Sequence, residues 1–472
     1  MNVKSLKFIK NMSYTFSSNF ITLLISTIVV LIIPKIVGIE DYGFWQLYIF
    51  YSSYVGFLHF GWNDGIYLRY GGEVYNELDK RLFFSQFIML FISQFFFGII
   101  IWLTSSFLIS DLDRKFILKM VSLSMIIVNT RIMLIYILQA TSRIKEYAKV
   151  TMFDRVIYII LVILFIIIGI KDYKLLIIAD LIGKFMSLLY SMYFCKEIVF
   201  NRINNFYFSF KETFINISVG IKLLFANIAS MLIIGIVRFG IEQTWDVSTF
   251  GKISLTLSIS NMMMIFINAI GIIMFPMLRR TNKEKLSNIY TTFRDILMVF
   301  LLGILILYYP LKTAMVAWLP QYSESLLYMA IIFPTFIYEG KMALLISTYL
   351  KTLRLENIIL KINLVSMIIS LITTYICTEI LYNLNLSILN IVILIIIRSI
   401  LAEIFLSRSL KINVKKDIIL EISLTFIFIL TGWYINSWMS ILFYGFFYIL
   451  YLFIKRNELL NSFQSFKNLL KD

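Results

Sequence analysis

Charge is scarce in this sequence. Asp, Glu, Lys and Arg make up 15% of its 472 residues, against about 25% in soluble domains. There is one histidine, His59, and there are two cysteines, Cys195 and Cys377. That is too few for a zinc site, a Cys–His nucleophile pair or a disulfide framework. No G-x-x-x-x-G-K-[S/T] loop occurs. The nearest echo, Gly251-Lys252-Ile253-Ser254, has Asp246 where the first glycine belongs, so the chain carries no recognisable ATPase of its own. Five prolines and nineteen glycines leave room for long, little-interrupted helices.

What the chain does have is apolar surface. Sixty per cent of residues are hydrophobic and 17% aromatic, with a mean hydropathy of +0.87. A soluble globule could not hide so much, and disordered chains are poor in these residues, so the bulk is expected in a membrane. A crossing takes about 20 mostly apolar residues. Runs of that kind lie near 13–36, 42–61, 82–109, 116–140, 149–170, 173–197, 215–240, 249–277, 291–312, 325–349, 356–381, 386–409, 417–435 and 438–455. The expectation is an all-α polytopic membrane protein of about 14 transmembrane helices. It divides into a six-helix lobe (1–205), a second six-helix lobe (206–411) and two further helices with a tail (412–472). The first apolar run has no small-residue cleavage site after it and reads as a retained span.

The charge distribution orients these spans. With both termini inside, 28 of 43 Lys/Arg fall to the cytoplasmic side and 7 to the external side, a strong positive-inside bias. This explains the net charge of +16 without nucleic acid as a partner. Gly38-Ile39-Glu40 after the first span recurs as Gly240-Ile241-Glu242 after the seventh, each followed by an aromatic-Gly pair. The placement suggests a parallel repeat of six spans, an arrangement that builds two lobes about an axis along the membrane normal.

Eight basic residues remain inside spans: Lys119, Arg131, Arg155, Lys184, Lys222, Arg238, Lys341 and Arg398. Asp154, Asp180, Glu339 and Glu403 accompany them. One such residue at a helix centre costs about 2.5–3.5 kcal/mol to insert, so most must face a wet interior, meet an acid or snorkel. Lys119, Lys222 and Lys341 are long enough to snorkel. Asp180 and Lys184 are spaced to pair on one helix, as are Arg238 and Glu242. Asp154 and Arg155 are adjacent and do not face each other on a helix. Arg131 and Arg398 have no acid within four residues. Arg131, Arg155, Arg238 and Arg398, with Lys222, are therefore the candidates for a substrate-binding cationic lumen, and a structural role stands beside that reading for each. Asp64, Arg69, Asp154, Asp180, Lys184 and Glu242 are gate or coupling candidates. Asp64 and Arg69 lie in the 62–81 connection, which reads either as a gate or as a polar turn. His59 is either proton-linked or simply hydrogen-bonded. The basic excess points to an anionic substrate, and arginine forks suit phosphate oxygens.

Several stretches resemble the oligosaccharide-lipid flippases (Wzx type) of the multidrug/oligosaccharidyl-lipid/polysaccharide exporter superfamily. They are Pro34-Lys35-Ile36-Val37-Gly38-Ile39-Glu40-Asp41-Tyr42-Gly43, the run from Phe60 to Gly72, the run from Gly220 to Ser230 continuing to Val237-Arg238-Phe239, and Phe275-Pro276-Met277-Leu278-Arg279-Arg280. The resemblance implies two six-helix lobes in a V arrangement that opens alternately to each side. It implies a bacterial plasma-membrane flippase that turns polyprenyl-diphosphate-linked oligosaccharide repeat units outward for capsule, O-antigen or exopolysaccharide assembly. H⁺ or Na⁺ would be the candidate coupling ion; no cofactor and no enzymatic activity are implied. Family members often carry an acid beside the basic residue late in the seventh span. Val237 stands there instead, so that acid's coupling role does not carry over. The alternatives are a sibling transporter (a lipid II flippase or a multidrug exporter) and a membrane polysaccharide polymerase or ligase. The last usually has a large external loop with catalytic residues, which this chain lacks.

Overall fold

Aspartates stand immediately before several of the apolar helices and cap them. The Asp79 carboxylate accepts from the backbone N–H of Arg81 and Leu82 at 2.9 and 3.0 Å. Asp111 accepts from Asp113 and Arg114, both at 2.9 Å. Asp172 accepts from Lys174 at 2.8 Å and Asp246 from Thr249 at 2.7 Å. Each satisfies first-turn donors that the helix itself cannot. The Asp246 cap also accounts for the Gly251-Lys252 echo: that stretch is helix interior, with no phosphate-cradling loop.

The computed structural model describes residues 3–169, 171–264, 286–353, 355–435 and 437–469. Among these there is no β-strand. The helices are α1 (Val3–Ile36), α2 (Ile39–Ser52), α3 (Trp62–Arg69), α4 (Lys80–Leu108), α5 (Leu112–Ala140), α6 (Ile144–Ile167), α7 (Tyr173–Phe194), α8 (Phe210–Thr244) and α9 (Val247–Met262). After these come α10 (Leu286–Trp318), α11 (Ser325–Thr352), α12 (Asn357–Ile380), α13 (Leu384–Leu410) and α14 (Lys415–Ile435). The chain closes with α15 (Met439–Ile454) and α16 (Arg456–Leu469). Ten described helices are long and apolar enough to cross a membrane, or eleven if the bent pair α15 and α16 forms one span. The protein is thus a multi-pass membrane protein. The other expected spans map to α1, whose apolar stretch is Phe20–Ile36, and to the shorter helices α2, α9 and α15. Phe275–Arg280 and the 265–277 part of the ninth-helix run 249–277 lie outside the described residues.

The chain folds as two compact units, Met1–Ile228 and Ala229–Asp472. In the first, α5 packs against α2, α3, α4 and α7, and α6 packs against α1 and α7. In the second, α10 packs against α16, and α12 against α13. Helix α11 is the inner element of this unit, with 89% of its apolar stretch buried, whereas α6 in the first unit buries only 22%. The two Gly-Ile-Glu copies are not structurally equivalent. Gly38 precedes the first residue of α2. Gly240 lies within α8, where an added Cβ would stand 2.6 Å from Thr374 Cγ2 of α12.

The 62–81 connection is not a loose turn. Helix α3 crosses the start of α8 at backbone contact. A Cβ on Gly65 would lie 1.9 Å from the Asn216 carbonyl oxygen, and one on Gly220 would lie 2.0 Å from that of Gly61. Gly61 also has φ of +82°, the left-handed region that glycine tolerates. The crossing is laced by Arg69, which donates to Glu212 and Asn216 at 2.5 Å each, and by the Tyr70 hydroxyl, which donates to Glu212 at 2.8 Å. Gln86 of α4 donates to Ser209 Oγ at 2.6 Å.

Asp64 is buried in this crossing. Its Oδ2 finds no hydrogen-bond partner among the described residues, and His59 Nε2 lies 3.8 Å away. Burial pushes the Asp64 carboxyl up to about 6. A carboxyl whose folded pKa is raised holds its proton more tightly in the native state, so its contribution to stability falls as pH rises from about 4 to about 6.

Two expectations follow. Gly220→Ala and Gly65→Ala should each cost about 1–3 kcal/mol or more, because backbone cannot yield to the new methyl. A lowered thermal midpoint of the purified protein in detergent checks this, with Gly445→Ala as an unchanged control, since nothing lies within 4 Å of that site. The gap in thermal midpoint between Asp64→Asn and the wild type should shrink as pH is lowered from 7 to 5. An unchanged gap would mean that Asp64 does not titrate there.

Candidate functional site

In the first unit, four helices bring together five of the twelve charges that the sequence places inside the membrane. Arg131 of α5 donates to Asp154 of α6 at 2.6 Å and to Ser187 of α7 at 3.1 Å. Arg155 of α6 lies 3.8 Å from Asp154 and 3.7 Å from Asp180 of α7. Lys184 pairs with Asp180 at 2.5 Å, and the Tyr48 hydroxyl of α2 donates to the same carboxylate at 2.8 Å. Gly183 sets the spacing between α6 and α7: a Cβ there would come within 2.8 Å of the Asp154 carbonyl oxygen.

The cluster holds three cations and two carboxylates, so it carries one formal positive charge in excess. Its acids are sealed and its cations graded in exposure. The Asp180 side chain is 1% exposed, Arg131 12% and Arg155 30%. Arg131 Nε and Asp154 Oδ1 find no hydrogen-bond partner among the described residues. Arg155 is therefore the guanidinium with both accessible surface and donors left over, since its contacts to two acids are long.

In the second unit the charges are matched more fully. Arg398 of α13 donates to Glu339 of α11 at 3.1 Å, to Asn363 of α12 at 3.0 Å and to Ser230 of α8 at 2.7 Å. Arg238 donates to Ser254 at 2.9 Å and stands over the Phe250 ring at 5.2 Å. Glu242 is fully buried and accepts from Gln243 at 2.5 Å. Lys222, in the first unit, is exposed. Deeper in the second unit is a closed ring: Arg294 donates to Glu403 at 2.6 Å and pairs with Glu421 at 2.6 Å, and Lys341 bridges the same two carboxylates. Asp417, Lys455, Asp295 and Glu458 extend it outward. Oxygens of Asp295, Asp417 and Glu458 lie within 4.8 Å of one another, and the Lys455 ammonium supplies the positive charge among them.

Several expectations need correction. Lys341 does not snorkel: its side chain is 1% exposed and bound to two glutamates. Arg131 and Arg398 have partners, supplied by neighbouring helices rather than their own. Asp154 and Arg155 do approach each other, at 3.8 Å, although they are adjacent on the helix. Arg294 and Glu421, both within span limits, are intramembrane charges that the sequence reading misses. A charged residue inside a run of apolar ones is the signal for each.

These pairs rank the residues by what they hold. Removing one partner of a buried pair strands the other, at about 3–5 kcal/mol. Lys341→Met should accordingly lower the thermal midpoint sharply, whereas Arg155→Ala should change it little, measured side by side on purified protein in detergent.

Comparison with known proteins places the fold. No family model and no curated protein matches the sequence. Among solved structures, the chain is similar to a multidrug resistance MATE family transporter of the MOP superfamily in an inward-facing conformation. The TM-score is 0.63 at 12% identity, over 83% of this chain and 98% of that one. It is also similar to the lipid II flippase MurJ in an inward closed conformation, with a TM-score of 0.58 at 14% identity, over 95% of this chain and 99% of that one. A third is the MATE multidrug transporter DinF-BH, with a TM-score of 0.57 at 16% identity, over 85% of this chain and 95% of that one. The chain thus has the helical fold of MOP-superfamily transporters, and these neighbours are transporters and flippases rather than enzymes.

Proposed function

We propose that the protein is a flippase for polyprenyl-diphosphate-linked oligosaccharide repeat units, moving them from the cytoplasmic to the outer leaflet of a bacterial plasma membrane by alternating access. The observation that carries this reading is the charge imbalance in the first unit: three cations share two carboxylates, and Arg155 keeps accessible surface. A cationic drug would call for unmatched acids. Here Asp154 and Asp180 are already held by Arg131, Arg155 and Lys184. An anionic diphosphate could engage Arg155 without stranding either acid, because Arg131 and Lys184 stay in place to hold them.

The remaining parts suit such a substrate. The oligosaccharide and diphosphate cannot enter hydrocarbon, while a polyprenyl chain can remain in it. With both termini on the cytoplasmic side, an inside-negative potential favours outward movement by about 2.3 kcal/mol per negative charge per 100 mV. Arg131, Arg398 and Arg238 act in this reading as scaffold and secondary contacts, and Lys222 as an approach charge. Asp64 and Arg69 at the α3–α8 crossing, with Glu242, are the gate and coupling candidates, and H⁺ or Na⁺ is the candidate ion. The product would feed capsule, O-antigen or exopolysaccharide assembly.

Rescue of a strain lacking its own oligosaccharide-lipid flippase tests the assignment. The wild-type chain should restore surface polysaccharide. At matched expression, Arg155→Ala should lower it about tenfold, the weight of one charge-assisted contact, and Arg155→Lys should recover part of it. Restored drug resistance without polysaccharide, or full output from Arg155→Ala, would reject the reading.

A further inference from the structure

The apolar end of the second unit stops abruptly. No charged residue occurs from Ile422 to Ile454, and Lys455, Arg456 and Glu458 then follow within four positions. At that point the chain bends by 67° between α15 and α16. We propose that α16 lies along the bilayer surface, with Leu460 and Phe463 inserted among the lipid chains and its flank docked on α10 and α14.

Three stripes run side by side along this segment, each displaced by one residue. Lys455, Leu459 and Ser462 form the first and are 1, 8 and 6% exposed. Leu460 and Phe463 form the second, at 52 and 53%. Asn457, Asn461 and Gln464 form the third and are exposed. At about 3.6 residues per turn, positions i, i+4 and i+7 share a face. One helix thus presents three faces: one against protein, one apolar and open, one polar and open.

The first face is held by charge. The Lys455 ammonium binds Asp295 of α10 and lies 2.8 Å from Asp417 of α14 and 3.2 Å from Glu458. Ser462 Oγ donates to the second Asp295 oxygen at 3.0 Å, and Lys416 pairs with Glu458 at 2.8 Å. Asp295 therefore holds the segment at two points, seven residues apart, which fixes its axis against α10.

The second face needs a cover, and the helix before it shows which. On α15, Leu442, Phe446, Ile449 and Phe453 are 64–71% exposed and fall on one face, the lipid-facing stripe of an apolar helix. The same rhythm of four and three continues in sequence through Arg456 to Leu460 and Phe463. The bilayer that covers Phe453 is the nearest apolar medium for the residues just past the bend. A helix with separate apolar and polar open faces, turned away from the apolar helix before it, rests in the interface. Arg456, exposed at the head of the apolar stripe, is long enough to reach the headgroups. The consequence is mechanical: α10, which carries Arg294 of the closed ring beside Asp295, is tied through α16 to the membrane surface.

A depth measurement on the full chain in nanodiscs of phosphatidylcholine and phosphatidylglycerol tests this. Leu460→Cys, Phe463→Cys, Asn457→Cys and Gln464→Cys are labelled singly with a fluorophore in a Cys377→Ser background, Cys195 being buried. All four positions are exposed, so the labels leave the docked face in place. Quenching by a lipid spin-labelled just beneath its headgroup is compared with quenching by aqueous iodide. The lipid-to-iodide quenching ratio should be several-fold higher at 460 and 463 than at 457 and 464. Ratios at 460 and 463 no higher than at 457 and 464 would overturn the proposal. So would shielding of 460 and 463 from both quenchers, as a protein partner or a second copy would produce. Because the readout is depth in the membrane, the result is separate from the polysaccharide rescue.

Discussion

The organising constraint in this protein is the cost of placing charge where water is scarce. Insertion penalises each buried cation by a few kcal/mol, and the chain carries many. The structure meets that cost with carboxylates drawn both from neighbouring helices and from the same helix. In the first unit Asp154 and Asp180 hold Arg131, Arg155 and Lys184. In the second, Glu403 and Glu421 hold Arg294 and Lys341. Helix packing follows from these pairs as much as from apolar contact, since each pair fixes which faces of α5, α6 and α7, or of α10, α11, α13 and α14, must meet.

The two units differ in what the pairing leaves over. The Arg294–Lys341 ring is closed, two charges of each sign, and buried on every side. The first-unit cluster is not balanced, and its surplus falls on Arg155, the cation most open to solvent. A closed ring is suited to holding helices together. A surplus guanidinium at an accessible place is suited to receiving an anion. This difference separates scaffold from candidate site without appeal to any relative, and the fold shared with transporters supplies the setting in which such a site would act.

The helical class and most span positions were legible in the sequence because apolar length alone encodes them. The Asp180–Lys184 pair was legible too, since both residues lie on one helix four apart. Partners on other helices were not. Arg131 and Asp154 are joined across α5 and α6, and Arg398 and Glu339 across α13 and α11, so spacing along the chain shows these arginines as lone charges. Lys341 reads as a snorkelling lysine because nothing local shows that Glu403 and Glu421 converge on it. The Gly-Ile-Glu repeat misleads for a related reason: Gly38 precedes a helix and Gly240 sits inside one, and only tertiary packing distinguishes the two. The glycines of the 62–81 connection do signal special backbone, but not that α3 would press on α8.

The most direct measurement is translocation by the purified protein in proteoliposomes, using a short-chain polyprenyl-diphosphate-linked glycan confined initially to one leaflet. The account predicts movement to the other leaflet by the wild type, competition by excess inorganic diphosphate or by the same glycolipid, and marked loss in Arg155→Ala with thermal stability retained. Undiminished translocation by Arg155→Ala, or movement of cationic dyes with none of the glycolipid, would contradict it.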